Sequence, residues 1–465
     1  MPKQHKWTKQ TLALALPALI GMLVDPLLSM MDTAYVGNLG SSIELAALGA
    51  CTSIFHLAFN AFRATTAATT SLVGNASSTN EKRSIVRISI LLGFSMGLGV
   101  GAILRGLGPQ CLAAMGVTSN SPLFRPGLAY LRTRSLAAPA VLAVVVAEGA
   151  FRGYGDTKIP LLASCTAALI NLILDPILML PPLSRGVQGA AAATATAQVG
   201  ALLVYAWFLT KRKMLPQKES ISNKTKAATS RWRVIKTILG ANLAMICKQG
   251  SLLLAWAYAT AKATRIGAAH VAAHQVALSC WLVFALLQDG AGVAAQVLLA
   301  KVRRNESENE TTATKSRNDN SHEKLLSLVK YMLRFSILQG LVVTGGFLLM
   351  TPYLPGWFVP DDPIVRGHLK RLLPHVAGQQ LLVSLTLILE SLAVGGKQFR
   401  LLAIGTTLST VLSISQIRSA STVVGVWSRG IVGLFVGRMV TAAIGTLRVV
   451  QLSGRAQRAA TKNEA

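Results

Sequence analysis

The sequence predicts an all-α polytopic membrane protein with twelve transmembrane helices in two six-helix lobes, the second a parallel repeat of the first. Three observations predict it. The 465 residues are 52% hydrophobic and only 14% charged, with a mean hydropathy of +0.48. Long apolar runs follow one another almost without interruption, where a soluble chain of this length divides into domains of amphipathic, capped helices. Finally, short patterns in the first half recur in the second in the same order.

The first run, 11–36, and the fifth, 158–180, each exceed the roughly 20 residues a helix needs to cross about 30 Å of hydrocarbon. The others read as 45–73, 85–107, 128–151, 187–210, 234–261, 271–300, 325–350, 372–394, 399–417 and 423–449. The first run follows Lys3, Lys6 and Lys9 and contains Asp25. It is too long for the apolar core of a secretory signal, so it reads as a membrane helix rather than a cleaved leader. Run 399–417 is rich in Ser and Thr and is the least typical of the set.

A formal net charge of +28 raises the question of nucleic acid, but the basic residues lie where a membrane protein needs them. With loops numbered alternately, the N-terminus, even loops and tail hold 29 Lys and Arg against 12 in the odd loops. The positive-inside rule then puts both termini in the cytoplasm, or its organellar equivalent. The expected organisation is an N-terminal lobe 1–210, a basic linker 211–233, a C-terminal lobe 234–450 and a tail 451–465. Segment 303–324, nearly devoid of apolar residues, is expected to be disordered. The five cysteines fall singly, with no CxxC pair and no His at metal spacing, so they read as small packing residues and no metal site is expected.

Asp32 and Asp175 carry the functional signal, because each carboxylate sits deep in a membrane-length run. Such groups are rare, costly and usually functional. A carboxylate in that medium is expensive when charged, which suits it to proton uptake and release. Asp32 lies far along an outward-running helix, as does Asp175, and Thr194 lies early in a helix returning from outside. All three therefore fall in the outer half of the membrane. Asn171 and Asp175, four residues apart, share one helix face. The alternative for both aspartates is structural, capping a neighbouring helix or binding a loop amide.

Other polar groups have two readings each. Asp25 precedes Pro26 and either satisfies backbone groups freed by that proline or faces a cavity. Asn60 and Gln380 either line a cavity or form interhelical hydrogen bonds. Glu148, near Arg152 and Asp156, reads as part of a helix-end ion pair. Lys248 and Arg63 read as snorkelling or paired cations. His270 and His274 read as packing residues of an outer turn rather than proton sensors.

The repeat is carried by Leu39-Gly40 with Leu45-Ala46-Ala47, which recurs as Ile266-Gly267 with Val271-Ala272-Ala273, and by Glu148 and Gly153, which recur as Glu390 and Gly395. Six helices per half restore the same orientation, so the axis relating the halves runs along the membrane normal.

Several motifs together resemble the multidrug and toxic compound extrusion (MATE) family, in its DinF-like branch. They are Pro17, Asp32-Thr33-Ala34, Glu44-Leu45-Ala46-Ala47-Leu48-Gly49 and Gly149-Ala150-Phe151-Arg152-Gly153 with Asp156-Thr157. They continue with Asn171 to Pro176, Gly186-Val187-Gln188-Gly189-Ala190-Ala191 with Thr194 and Gln198, and Ala273-His274-Gln275-Val276-Ala277. The resemblance runs from about Leu12 to Val449. It implies a V-shaped pair of lobes and export of drugs or metabolites driven by a proton or sodium gradient. It also implies a proton- or cation-coupling cluster of Asp32, Asn171, Asp175 and Thr194, with Pro17 as a bend in the first helix. Asp289 and Glu390 match carboxylates of the branch, with either a structural or a substrate-contacting role. Leu28 stands where many relatives carry Tyr. Lys248 and Gln249 stand where the sodium-coupled branch tends to place a carboxylate, which favours protons.

The expected activity is therefore antiport of small organic compounds against protons by alternating access of the lobes. The expected partners are a small-molecule substrate (organic cation, drug or organic acid) and membrane lipids, with the protein a monomer, no cofactor beyond the ion gradient and no nucleic acid. The alternatives are a flippase for lipid-linked oligosaccharides, which calls for a cavity lined by several cations, and a sodium-coupled exporter of organic acids. An enzyme needs a clustered nucleophile, metal triad or carboxylate pair at a membrane face, and the sequence offers none.

Overall fold

A computed structural model describes residues 7–24, 42–115, 117–179, 183, 185–215, 224–311, 321–359 and 363–462. The protein is helical nearly throughout. In chain order the helices are α1 (Trp7–Val24), α2 (Ser42–Gly74), α3 (Thr79–Gly106), α4 (Gly108–Ala114), α5 (Phe124–Ser135), α6 (Ala138–Gly153), α7 (Lys158–Met179) and α8 (Gly186–Lys211). They continue as α9 (Lys224–Ile266), α10 (Ala268–Thr311), α11 (Ser321–Met350), α12 (Leu354–Phe358), α13 (Pro363–Gly378), α14 (Gln380–Gly395), α15 (Phe399–Arg418), α16 (Val423–Gly425) and α17 (Val432–Lys462). A π-helical turn, Val426–Ile431, joins α16 to α17.

Among the described residues ten helices are long and apolar enough to cross a membrane, and an eleventh is added when the bent pair α5 and α6 counts as one span. With α2, 33 residues long, the order agrees with twelve. Two expectations differ in detail. Run 128–151 is not one helix: α5 and α6 meet at 49°, with Pro139 inside the first turn of α6, where its missing N–H costs nothing. Segment 303–324 is not wholly disordered, because α10 stays helical to Thr311 and α11 starts at Ser321. Its Arg and Glu residues are good helix formers even without an apolar face.

Residues 20–242 form one compact unit, and residues 1–19 with 243–465 form the other. These differ from the expected lobes in placing the start of α1 with the second half. In that unit Trp7 Nε1 donates to Ser327 Oγ at 3.4 Å, and Gly290 admits the backbone of Ala15 and the side chain of Leu19. Helix ends are set by local chemistry. Ser78 caps α3 by accepting from the Glu81 N–H at 3.1 Å, while the Glu81 carboxylate accepts from the Ser77 N–H at 2.8 Å. Asp156 caps α7 through Lys158 N and Ile159 N.

The internal repeat is visible in packing. Gly153, in the last turn of α6, lies against the Thr70 carbonyl and Val73 of α2. Gly395, in the last turn of α14, lies against the Gln296 carbonyl and Leu299 of α10 in the same register. Both helices end alike: Asp156 N donates to the Phe151 carbonyl and Gln398 N to the Ala393 carbonyl, each at 2.9 Å. The intervening Gly155 and Lys397 have φ of 83° and 63°. One turn earlier Gly149 faces Thr66, whereas in the second unit the glycine, Gly292, is on the other helix and faces Ser391. Each pair keeps one small partner, so the backbones approach closely.

Candidate functional site

In the first unit the site residues are positioned by α7 and α8, which pack along their length. The buried residues of α7 include Ile159, Ala163, Ala167, Asn171, Asp175 and Met179, one every fourth position. Leu162, Leu169, Leu172, Ile173 and Ile177 are exposed. Asn171 and Asp175 therefore stand on the protein-facing stripe, 2% and 0% exposed. Close approach comes from α8, where Gly189 faces the Leu178 backbone and Gly200 faces Ile170.

Asn171 Nδ2 donates to Asp175 Oδ2 at 2.6 Å. An amide beside a carboxyl serves both protonation states, since it donates to the carboxylate and, rotated, accepts from the acid. Pro176 follows inside the helix and cannot supply an N–H to the carbonyl one turn back, which leaves the backbone around Asp175 polar. Thr194, on the buried side of α8, donates its hydroxyl to the Ala190 carbonyl at 2.9 Å. Asp25 and Asp32 lie outside the described residues. Asn60 lies on α2, with its side chain outside them. Pro17 is inside α1, which is helical on both sides of it.

Near the C-terminal end of α6 Glu148 pairs with Arg152, the helix-end ion pair expected from the sequence. Asp156 pairs separately with Arg212 at 2.5 Å. Tyr154 lies between α6 and α7, and burial raises the pKa of its phenol.

The second unit holds a buried ion cluster that sequence reasoning found only in part. Glu390 Oε1 accepts from Arg438 Nε at 2.9 Å and Oε2 accepts from Arg438 Nη2 at 3.0 Å. Lys248 Nζ donates to Oε2 at 2.7 Å. Of the two readings of Lys248, snorkelling or paired, the structure shows the pair; Arg438 was missed. The available signal was charge balance, since an isolated Arg in the last apolar run needs a carboxylate. Gln380, fully buried, accepts from Gln288 Nε2 at 2.8 Å, an interhelical hydrogen bond. Asp289 is half-buried on α10.

His274 is fully buried and is a packing group. Its Nδ1 accepts from Trp427 Nε1 at 3.0 Å, and its Nε2 lies 3.0 Å from Thr260 Oγ1. Because the Thr260 hydroxyl donates to the Trp256 carbonyl, the network selects the neutral Nε2–H tautomer. The tilted Trp427 ring contacts the imidazole, and Trp256 meets Trp427 edge-on and continues the cluster to Trp281. His270 instead contacts His368, ring centroids 4.1 Å apart. The Ser/Thr content of α15 is also accounted for: Ser409 donates to the Gly405 carbonyl, Ser413 to that of Gly430 and Thr410 to that of Ser251.

Comparison with known proteins places this geometry. The MatE family model matches residues 17–177. Protein DETOXIFICATION 44, chloroplastic, of Arabidopsis thaliana is 29% identical over 94% of this chain and 80% of its own length. DNA damage-inducible protein F of Escherichia coli is 27% identical over 61% of each chain. The chain is similar to MATE proteins over nearly its whole length. Among solved structures, the Vibrio cholerae MATE transporter VcmN in its bent form is 19% identical and covers 99% of both chains with a TM-score of 0.75. That likeness fixes the fold. With its membrane-length apolar helices the protein is an integral, multi-pass membrane protein that shares the fold of MATE transporters.

Proposed function

We propose that this protein is a MATE transporter that exports small organic compounds in exchange for protons, by alternating access of an N-terminal lobe (1–210) and a C-terminal lobe (234–450) joined by linker 211–233. The observation that carries the reading is Asp175: a carboxylate with no exposure, inside a membrane-length helix, held by Asn171. Protonation of Asp175 and Asp32 removes the cost of burying charge, lets the lobe repack and lowers substrate affinity, and deprotonation restores it. Thr194 belongs to the same helix pair as Asp175, and Pro17 supplies a bend.

Protons are favoured over sodium because Lys248 occupies Glu390 in the second unit. An ammonium already fills the place beside that carboxylate where a sodium ion would sit. The substrate is an organic cation, a drug or an organic acid. The protein works as a monomer in lipid, takes its energy from the ion gradient without a bound cofactor, and performs no covalent chemistry. The test is efflux of ethidium from proteoliposomes under an imposed proton or sodium gradient. Efflux driven by the proton gradient alone supports the reading; efflux that needs sodium overturns it.

A further inference from the structure

The end of the first unit where α3 and α7 begin and α6 and α8 stop carries more cations than its carboxylates balance. Three contacts hold it together. Arg83 Nε of α3 donates to the Lys213 carbonyl, just beyond α8, at 2.8 Å. Arg212 pairs with Asp156 of the turn between α6 and α7, and Lys82 Nζ lies 5.4 Å from the centre of the Tyr154 ring. The carboxylates here are engaged: Glu148 by Arg152, Asp156 by Arg212, and Glu81 in the cap of α3. Among the described residues Arg83, Arg87, Lys211 and Lys213 meet no carboxylate. Arg83 uses Nε on a carbonyl and keeps its two Nη groups for another acceptor. Lys213 has a φ of 53°, the left-handed conformation in which glycine is the usual residue after a helix. A cation is thus kept where the backbone favours glycine.

The cations continue into exposed apolar stripes. Val199, Leu203 and Trp207 are exposed and, at four-residue spacing, share one face of α8 with exposed Lys211. The Lys211 ammonium lies 4.5 Å from the centre of the Trp207 ring, which places both on the same side. On α3, exposed Arg87 is followed along one face by exposed Leu91, Phe94 and Leu98. Two helices therefore repeat one pattern, an apolar face that ends in a cation, and on α8 a Trp marks the junction, as at the boundary of hydrocarbon and headgroups. The complement to this pattern is a molecule that joins an acyl chain to a negative headgroup.

We propose that this end of the first unit binds an anionic phospholipid. Its phosphate is received by Arg83, Lys211 and Lys213, and an acyl chain follows Trp207, Leu203 and Val199. The site does not rest on the export reading, because it needs neither Asp175 nor a transported substrate.

The test is native mass spectrometry with thermal unfolding of the full chain in dodecylmaltoside. The protein is titrated with dioleoylphosphatidylglycerol or, as the neutral control, dioleoylphosphatidylcholine. The expected result is saturable retention of phosphatidylglycerol and a higher unfolding temperature, with neither effect from phosphatidylcholine. Lys211→Gln with Lys213→Gly weakens retention about tenfold or more, and Trp207→Ala weakens it as well. Arg105→Gln, at the opposite end of α3, leaves it unchanged. Should the double variant fail to fold, Lys213→Gly alone carries the test. Glycine suits that backbone better than lysine, so without added lipid this variant unfolds no earlier than wild type, yet it retains phosphatidylglycerol about fivefold more weakly. Equal retention of the two lipids, or retention unaffected by these substitutions, overturns the proposal. Displacement of phosphatidylglycerol by soluble glycerol phosphate also overturns it, since the site would then be one for a free phosphate.

Discussion

Asn171 and Asp175 lie one turn apart on the buried stripe of α7, and the amide donates to the carboxylate at 2.6 Å. The other buried residues of that stripe are Ile, Pro, Ala and Met, so this pair is the polar step in an otherwise apolar buried face. Asn171→Leu removes that donor and is expected to move the pH at which transport is half-maximal. A pH profile of efflux from proteoliposomes checks this; an unchanged midpoint contradicts it.

Glu390 is the counter-charge for two buried cations. Glu390→Gln leaves Lys248 and Arg438 unbalanced and is expected to cost about 3–5 kcal/mol. Lys248→Met leaves the Arg438 pair intact and is expected to cost less. Thermal unfolding in detergent orders the two variants, and a larger loss for Lys248→Met would contradict the assignment of Arg438 as the main partner.

Gly149 is where α6 presses on α2. A Cβ there would stand 2.5 Å from the Thr66 carbonyl oxygen and 3.0 Å from Thr69 Cβ. Gly149→Ala is expected to destabilise by about 1–3 kcal/mol through overpacking. Gly99 has nothing within 4 Å of the same position, so Gly99→Ala serves as the neutral control in the same unfolding assay.

His274 links the Trp427 indole to Thr260. In His274→Phe the ring is kept but the buried indole N–H loses its acceptor, at a cost of about 1–3 kcal/mol. The loss appears in unfolding, and the shape of the pH–transport profile stays as in wild type. A changed profile would make His274 a proton sensor after all.

The spans were legible because hydrocarbon demands long apolar runs, and 158–180 and 399–417 match α7 and α15 to within a residue. The break between α5 and α6 was missed although the sequence marks it, with Arg132, Thr133, Arg134 and Ser135 before Leu136 and Pro139 just after Ala137. The helical start of segment 303–324 was missed because absence of apolar residues was taken for absence of structure. Asn171 and Asp175 were legible from spacing within one helix. Arg438 was not, because its partner lies 48 residues away and that of Lys248 lies 142 away. Only the fold brings the three together. The π-turn at Val426–Ile431 has no local sequence signature, and its Trp427 carbonyl is met by Gln379 Nε2 at 3.4 Å.

The central claim is that Asp175 couples a proton to substrate movement, and separating coupling from transport tests it most directly. Wild type and Asp175→Asn are compared in proteoliposomes for ethidium counterflow at equal pH and for efflux driven by a pH gradient. The account predicts that Asp175→Asn keeps counterflow and loses gradient-driven efflux by about tenfold or more. Gradient-driven efflux equal to wild type in Asp175→Asn would contradict it.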